Sequence, residues 1–511
     1  MRSKYGYVTV LMLIIWAVTS AEPANAAGEG KVKVSVVDAE SGEPIPVRMH
    51  LKNSQGKPVI PRGTVSWKDH FIVDGEITLK LRPDDYTFQV ERGPEYKIRH
   101  GNFHIERRAE DHHEIAMHRF VDLSREGWWS GELHVHRPPK DVELLMRAED
   151  LHVAPVITWW NERNIWANQT PPASLMKRFD DNRLYHLMAG EDEREGGALL
   201  YFNLHRPLPI TGSSREYPSP VKFLDMARES ADVHIDIEKP FWWDMPVWVA
   251  TGKVDSIGIA HNHMQRDGVL GTEAWGRPRD TSKYMGAHGN GQWTQDIYYH
   301  LLNCGLRIPP SAGSASGVLP NPVGYNRAYV HCGEELTYNR WWEGLRAGRV
   351  VVTNGPLLRP LVNGELPGHV FRGQGSVVEL DVALKLSLRD KVDYLEIVKN
   401  GRVIHQVRLQ DYAQAGGHLP KVVFQSSGWM LVRAIARNPD TFRFASTGPY
   451  YVEIDDKPMV SKGSAQFFLD WVHERARRIK LDDPEQRKEV MVPHRVARDF
   501  WQAKVDAANA D

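Results

Sequence analysis

A series of short apolar runs in the middle of this chain each ends in groups that bind metals, move protons or stack on rings. His134-Val135-His136 follows Gly131-Glu132-Leu133, and Trp159-Trp160-Asn161 ends the run from Val153 to Thr158. Glu191-Asp192-Glu193 follows Met188-Ala189-Gly190. Glu238 follows His234-Ile235-Asp236-Ile237, and His261-Asn262-His263 follows Ile257-Gly258-Ile259-Ala260. Helical patterns lie between the runs; Asp141 stands as a cap before Val142, Leu145 and Met146, which share one face. Strand and helix in alternation predict an α/β sheet or barrel. In a βα barrel the C-terminal strand ends converge on one mouth, where active sites lie.

His-x-His on a strand points both rings to the same side. Two imidazoles there can share a divalent ion that a carboxylate from another strand completes. Two such pairs and an acidic cluster, each at a strand end, predict a metal site. His234 alternates away from Ile235 on its own run and reads as structural.

The flanks have a different texture. Residues 1–26 read as a secretory signal peptide: Arg2 and Lys4, an apolar run from Val8 to Val18, then Ala24-Asn25-Ala26 at cleavage spacing. This predicts a periplasmic or extracellular protein with no stable membrane span after cleavage. Residues 27–120 alternate with period two at Val32/Val34/Val36, Val47/Met49/Leu51, Ile77/Leu79/Leu81 and Tyr86/Phe88/Val90, which predicts a β-sandwich. Residues 121–355 form the barrel-like part. Residues 356–455 return to strands, with Leu380 to Leu388 alternating and Asn400-Gly401 set for a hairpin. Residues 456–511 turn helical, with Phe467, Phe468, Trp471 and Val472 at helical spacing, expected to pack on the preceding domain. The 64 basic and 65 acidic side chains leave a charge of −1 and no basic run, which argues against nucleic acid. Cys304 and Cys332 fit either one disulfide or two free thiols.

Two resemblances sharpen this reading. Asp38-Ala39-Glu40-Ser41-Gly42-Glu43-Pro44-Ile45-Pro46 resembles the first strand and turn of carboxypeptidase regulatory-like modules, which implies a scaffold. Gly127-Trp128-Trp129-Ser130-Gly131-Glu132-Leu133-His134-Val135-His136 resembles the opening motif of the PHP (polymerase and histidinol phosphatase) superfamily, closest to its CehA/McbA-type metallohydrolases. Ala189-Gly190-Glu191-Asp192 is similar to that family's motif for a metal-bridging carboxylate. Leu345-Arg346-Ala347-Gly348-Arg349, leading to Thr353-Asn354-Gly355-Pro356, resembles the segment closing the domain. The resemblance implies a distorted (β/α)7 barrel that binds divalent metal and hydrolyses esters, carbamates or phosphoesters.

The departures restrict what carries over. Where the family has Thr-Asp-His-Asn, this chain has Thr158-Trp159-Trp160-Asn161; where it has Gly-Ser-Asp-x-His, this chain has Gly313-Ser314-Ala315-Ser316-Gly317. The histidine past the bridging glutamate is missing at Glu195-Gly196-Gly197-Ala198, and Glu238-Lys239-Pro240 replaces a His-Pro. What remains implied is a reduced site: His134, His136 and Glu191 as ligands, with His263, His261 and Glu238 as candidates for a fourth. One divalent ion per chain (Zn, Mn or Fe) is expected. Asp192, Glu193 and Asp267 are candidate general bases, and the sequence does not choose among them. Trp159 and Trp160 stand at ligand positions, so at least one ring should line the pocket, and an aromatic wall suits an aryl group or a sugar. Arg277 and Arg327 are further candidate substrate contacts. The expected function is metal-dependent hydrolysis of a small-molecule or carbohydrate substrate. The alternative is an inactive barrel that binds a carbohydrate or other ring-containing ligand.

Overall fold

A computed structural model describes residues 28–375 and 377–511. The signal-peptide reading falls outside the described residues. No helix among them is long and apolar enough to cross a membrane.

The protein is a β-rich, multi-sheet, multidomain chain. In the N-terminal module, Gly30–Asp38 pairs with Glu76–Leu81 and Glu110–Met117, facing a five-stranded sheet that includes Pro46–Asn53, His70–Asp74 and Asp84–Glu91. Period-two alternation turns Val32, Val34, Val36, Val47, Met49 and Leu51 into the space between the sheets, where each is at most 1% exposed.

The central part is a ring of strands: β1 (Trp128–Gly131), β2 (Val153–Trp160), β3 (Arg183–Arg194), β4 (Gly197–Phe202), β5 (His234–Ile237), β6 (Ser256–Ala260) and β7 (Pro310–Ala312). Neighbours from β1 to β3 and from β5 to β7 run parallel, while β4 is antiparallel to both β3 and β5. The chain stays extended beyond β1 to close the ring. Ile157 N–H donates to Val135 O on one side, and Leu133 N–H to Ala312 O on the other. Helices Val142–Ala148, Pro220–Ala227, Met245–Ala250 and Gly289–Asn303 follow β1, β4, β5 and β6. Two short strands, Arg163–Asn164 and Met176–Phe179, take the place of a helix after β2. Val142, Leu145 and Met146 are buried as their spacing requires, but Asp141 makes no side-chain cap; it ends a 3-10 turn leading into the helix.

One expectation about the C-terminal half is corrected. Val350–Thr353 pairs with both Arg327–His331 and Phe444–Thr447, so hydrogen bonds run from the ring into the sandwich sheet. The tail helices Lys462–Arg478 and Pro484–Asp506 pack on the barrel rather than on that sandwich. Phe468 and Trp471 join the core formed by Trp243 and Met245, and Trp501 Nε1 donates to Pro246 O at 2.9 Å. Buried Arg475 fastens this contact, meeting Asp244 Oδ1 at 2.6 Å and Glu216 Oε2 at 2.5 Å. Both cysteines are free thiols. Asn400 and Gly401 both take positive φ (49° and 81°), as a tight hairpin turn requires.

Candidate metal centre

The ends of β1, β2 and β3 meet at one place. Extended backbone puts His134 and His136 on the same side, with the Nε2 atoms 3.0 Å apart. On β3, Glu191 lies opposite Trp160 of β2. Its Oε2 is 2.9 Å from His136 Nε2, and its Oε1 is 3.4 Å from His134 Nε2. One donor atom from each of the three residues lies within 4.8 Å of the others. All three side chains are 4% exposed or less, so charge between them is poorly screened.

The electrostatics of this group favour positive charge beside Glu191. Burial by itself depresses His134, but Glu191 and Glu238 outweigh it and raise its pKa to about 10. Burial would raise Glu191, and the two imidazoles instead hold it far below the usual carboxylate range. His136, where burial dominates, is depressed. Two imidazole nitrogens and one carboxylate form a common donor set for a catalytic divalent ion. Metal binding replaces the proton that such a pair otherwise holds.

Behind His134 stands Glu238, at the end of β5. Its Oε1 is 3.4 Å from His134 Nδ1, and neither atom has a hydrogen-bond partner. Glu238 therefore faces the nitrogen opposite the one turned to Glu191. This is the place of an orienting carboxylate rather than a ligand. Its other oxygen pairs with the buried Lys239 ammonium.

The loop Gly313–Gly317 lies against these histidines. His136 N–H donates to Ser316 O at 2.9 Å. A Cβ on Gly313 would sit 2.5 Å from His134 Cβ, so only glycine fits there. Ala315 is buried with φ of 51°. Glu132 anchors the loop by accepting the N–H groups of Ser314 (2.5 Å) and Gly324, while burial pushes its carboxyl up to about 7.

Other residues expected at the site are engaged elsewhere. Asp192 points to the opposite face of β3 from Glu191, where it pairs with Arg194 at 2.7 Å and accepts from Asn161 Nδ2 at 2.7 Å. Asp267 is exposed and paired with Arg266. Arg327 is buried and donates to the carbonyls of Gly324 and Glu149. Arg277 lies over the rings of Phe467 and Trp471 in the tail contact. His261 is held by Thr294 Oγ1 at 2.9 Å and accepts the His263 N–H on Nδ1. His263 leans on Phe241 with its Nδ1 unpartnered. Neither joins the three-residue donor group. His234 bonds Ser256 Oγ at 2.8 Å and packs on Trp342.

The two tryptophans separate by strand alternation. Trp159 turns into the core, stacked on Tyr201 with centroids 6.1 Å apart. Trp160 is half-buried and meets the His136 ring edge-on at 5.2 Å, with Arg163 over its ring. Glu193, exposed on the rim, shares the Glu191 side of β3. Sequence reasoning missed Lys239, because alternation does not place a residue where the chain turns off its strand.

A second group, His50, Asp69 and His70, also brings donors within 4.8 Å. Asp69 lies 3.0 Å from Nδ1 of each histidine. Arg48, however, contacts His50 Nε2. A guanidinium only donates, so Nε2 must accept and the ring proton sits on Nδ1, facing Asp69. That nitrogen has no lone pair for an ion, and the cluster is a hydrogen-bonded strut.

No family model matches the chain, and no curated protein matches it. Among solved structures, partial likenesses are found to the Bacillus anthracis TIE protein and to phospholipase PlaB from Legionella pneumophila. The first has 21% identity and a TM-score of 0.15, covering 21% of this chain and 19% of that one. The second has 16% identity and a TM-score of 0.13, covering 19% of this chain and 26% of that one. The chain thus spans about a quarter or less of either protein, and neither likeness carries an argument.

Proposed function

We propose that this protein is a metal-dependent hydrolase with a reduced, single-ion site of the PHP type, acting on an ester, carbamate or phosphoester. The observation that carries the reading is the convergence of His134, His136 and Glu191 from two separate strand ends. The pairing of six parallel-running strands with one antiparallel strand in a closed ring is compatible with the distorted barrel that the PHP resemblance implies. The loop Gly313–Gly317 supports it further, since Ala315 and Gly317 replace ligands of the family in a segment that borders the two histidines.

A divalent cation at this site would supply an activated water and polarise the scissile group. The chain's own residues do the rest. Glu238 holds the His134 ring from behind. Glu193 is the carboxyl on the rim free to take a proton, since Asp192 and Asp267 are both spent on arginines. Trp160 offers a ring face beside His136 for an aryl or sugar group, contributing desolvation more than directed polar contacts.

Elemental analysis of the purified protein, followed by assay against nitrophenyl esters, carbamates and phosphoesters, tests the reading. We expect a divalent ion that is lost in His136→Ala, and turnover that is lost with it. An ion content that His136→Ala leaves unchanged would refute the site. A bound ion without turnover of any of these classes, together with binding of sugars or aryl ligands, would favour the second reading, an inactive barrel whose ligand stacks on Trp160.

A further inference from the structure

Glu238 stands 3.4 Å from His134, on the side of the ring away from Glu191, and is a donor type that a second cation would use. His263 Nδ1 and Glu238 Oε1 are buried without hydrogen-bond partners. What stands against Glu238 is the Lys239 ammonium. It is 2% exposed, pairs with Glu238 Oε2 and lies 4.4 Å from the centre of the Trp242 ring.

We propose that Lys239 is a built-in cation that takes the place of a second metal ion and holds the site to one. The argument is charge and space. Glu191 and Glu238 place two carboxylates on opposite sides of the His134 ring. A divalent ion at Glu191 leaves Glu238 to be neutralised, and a buried carboxylate does not remain unpaired. Lys239 meets that need with a tethered ammonium that cannot be removed by chelators or dilution. The tryptophan face at its back stabilises the same positive charge. A second ion would have to displace a covalently attached competitor from Glu238. Lys239 thereby acts as a positioning residue: it fixes the charge on Glu238, which in turn faces His134.

This inference rests on the single-ion reading, and the test separates the two. Wild type, Lys239→Leu, Lys239→Gln and Lys239→Arg are loaded with Zn2+ and freed of excess by gel filtration. Bound metal is counted by mass spectrometry, and thermal midpoints are compared with and without Zn2+. Leucine removes the charge without adding a donor; glutamine does so while still able to bond Glu238, which covers a folding defect in the leucine variant. We expect both neutral variants to gain one ion per chain over wild type and to show a larger Zn2+-induced rise in midpoint. Lys239→Arg should stay at the wild-type count. An unchanged or lower count in the neutral variants overturns the inference. A wild type that binds no Zn2+ overturns the hydrolase reading instead; the gain or its absence in the variants still decides the role of Lys239.

Discussion

Replacing Gly190 by Ala adds one methyl group one residue before Glu191, and the structure says where it goes. A Cβ at Gly190 would lie 2.0 Å from Trp159 Cε2 and 2.1 Å from Cζ2. Ordinary carbon contacts are about 3.5–4.0 Å, so strand or ring must move by roughly 1.5 Å. Trp159 is 1% exposed and stacked on Tyr201, which leaves it nowhere to retreat without disturbing the core. Overpacking of this kind costs ~1–3 kcal/mol, which urea denaturation resolves. The strand cannot take up the shift instead, because Glu191 holds its two nitrogens at 2.9 and 3.4 Å. Misplacing a site by ~1 Å is enough to cost about 100-fold in activity, so affinity for the ion and turnover should fall as well. Trp159→Ala alone should destabilise by ~3–5 kcal/mol through the cavity it leaves. The double variant should be less destabilised than the sum of the singles by more than ~0.5 kcal/mol, since the added methyl then fills part of that cavity. Additive effects, or a Gly190→Ala protein with wild-type stability and ion affinity, would refute the claim that this glycine exists to admit the indole.

Arg475→Met should destabilise by ~3–5 kcal/mol in urea, because it strands Asp244 as a buried, unpaired carboxylate and leaves Glu216 only the longer contact to Arg215. Lysine there should rescue only in part, since Arg475 reaches both acids with different nitrogens. His186 is buried against the Tyr338 ring, and burial pulls its pKa down to about 4. The unfolded chain therefore takes up this proton first as pH falls below about 6.5, and stability is lost between there and pH 4. His186→Phe keeps the stacking and removes the proton site, so its stability relative to wild type should rise across that window by up to about 3 kcal/mol; a pH-independent difference would refute it. Trp160→Ala should weaken binding of an aryl or sugar ligand about 3- to 10-fold, a stacking loss of ~0.5–1.5 kcal/mol, and leave the metal count unchanged by elemental analysis.

Local periodicity made the sheets legible. Val32, Val34 and Val36 had to share a face, and so did Leu380, Val382 and Leu384, which line the C-terminal sandwich core. The same rule placed His134 beside His136, and it also turns Asp192 away from Glu191, a consequence that its acidity obscured. What periodicity cannot reach is pairing at long range. The tail helix shows an aromatic face in its sequence, but nothing in Phe467 to Val472 says that the face meets Trp243 rather than the nearer sandwich. That choice is made by Arg475 with Asp244 and Glu216, which are 231 and 259 residues away. Arg277 and Arg327 look like pocket residues for the same reason: a guanidinium spent on carbonyls or rings reads the same in sequence as one facing a ligand.

The two β modules bear on the site through its loops. After β6 the chain turns at Arg266, whose guanidinium pairs with Glu91 of the N-terminal sandwich and whose carbonyl accepts from Arg443 of the C-terminal one. Its N–H donates to Asn321, which in turn holds the loop beside His134 through Ser314 O. On the opposite flank, Trp67 of the N-terminal module donates to Leu319 O, and Arg137, next in sequence to His136, donates to Ser66 O. Loops that end barrel strands are ordinarily free to move, and a site built on them loosens with them. Here the segment after His136, the turn after β6 and the loop through Leu319 are bonded to the sandwiches, so the histidine side of the donor group is held from outside the barrel. The buried pair Arg48–Glu149 ties the N-terminal module to the end of the helix that follows His136, and Glu91 steadies Arg48 from within the module. A scaffold with no chemistry of its own thereby contributes to the site, by removing the freedom that its ligands would otherwise lose on binding an ion.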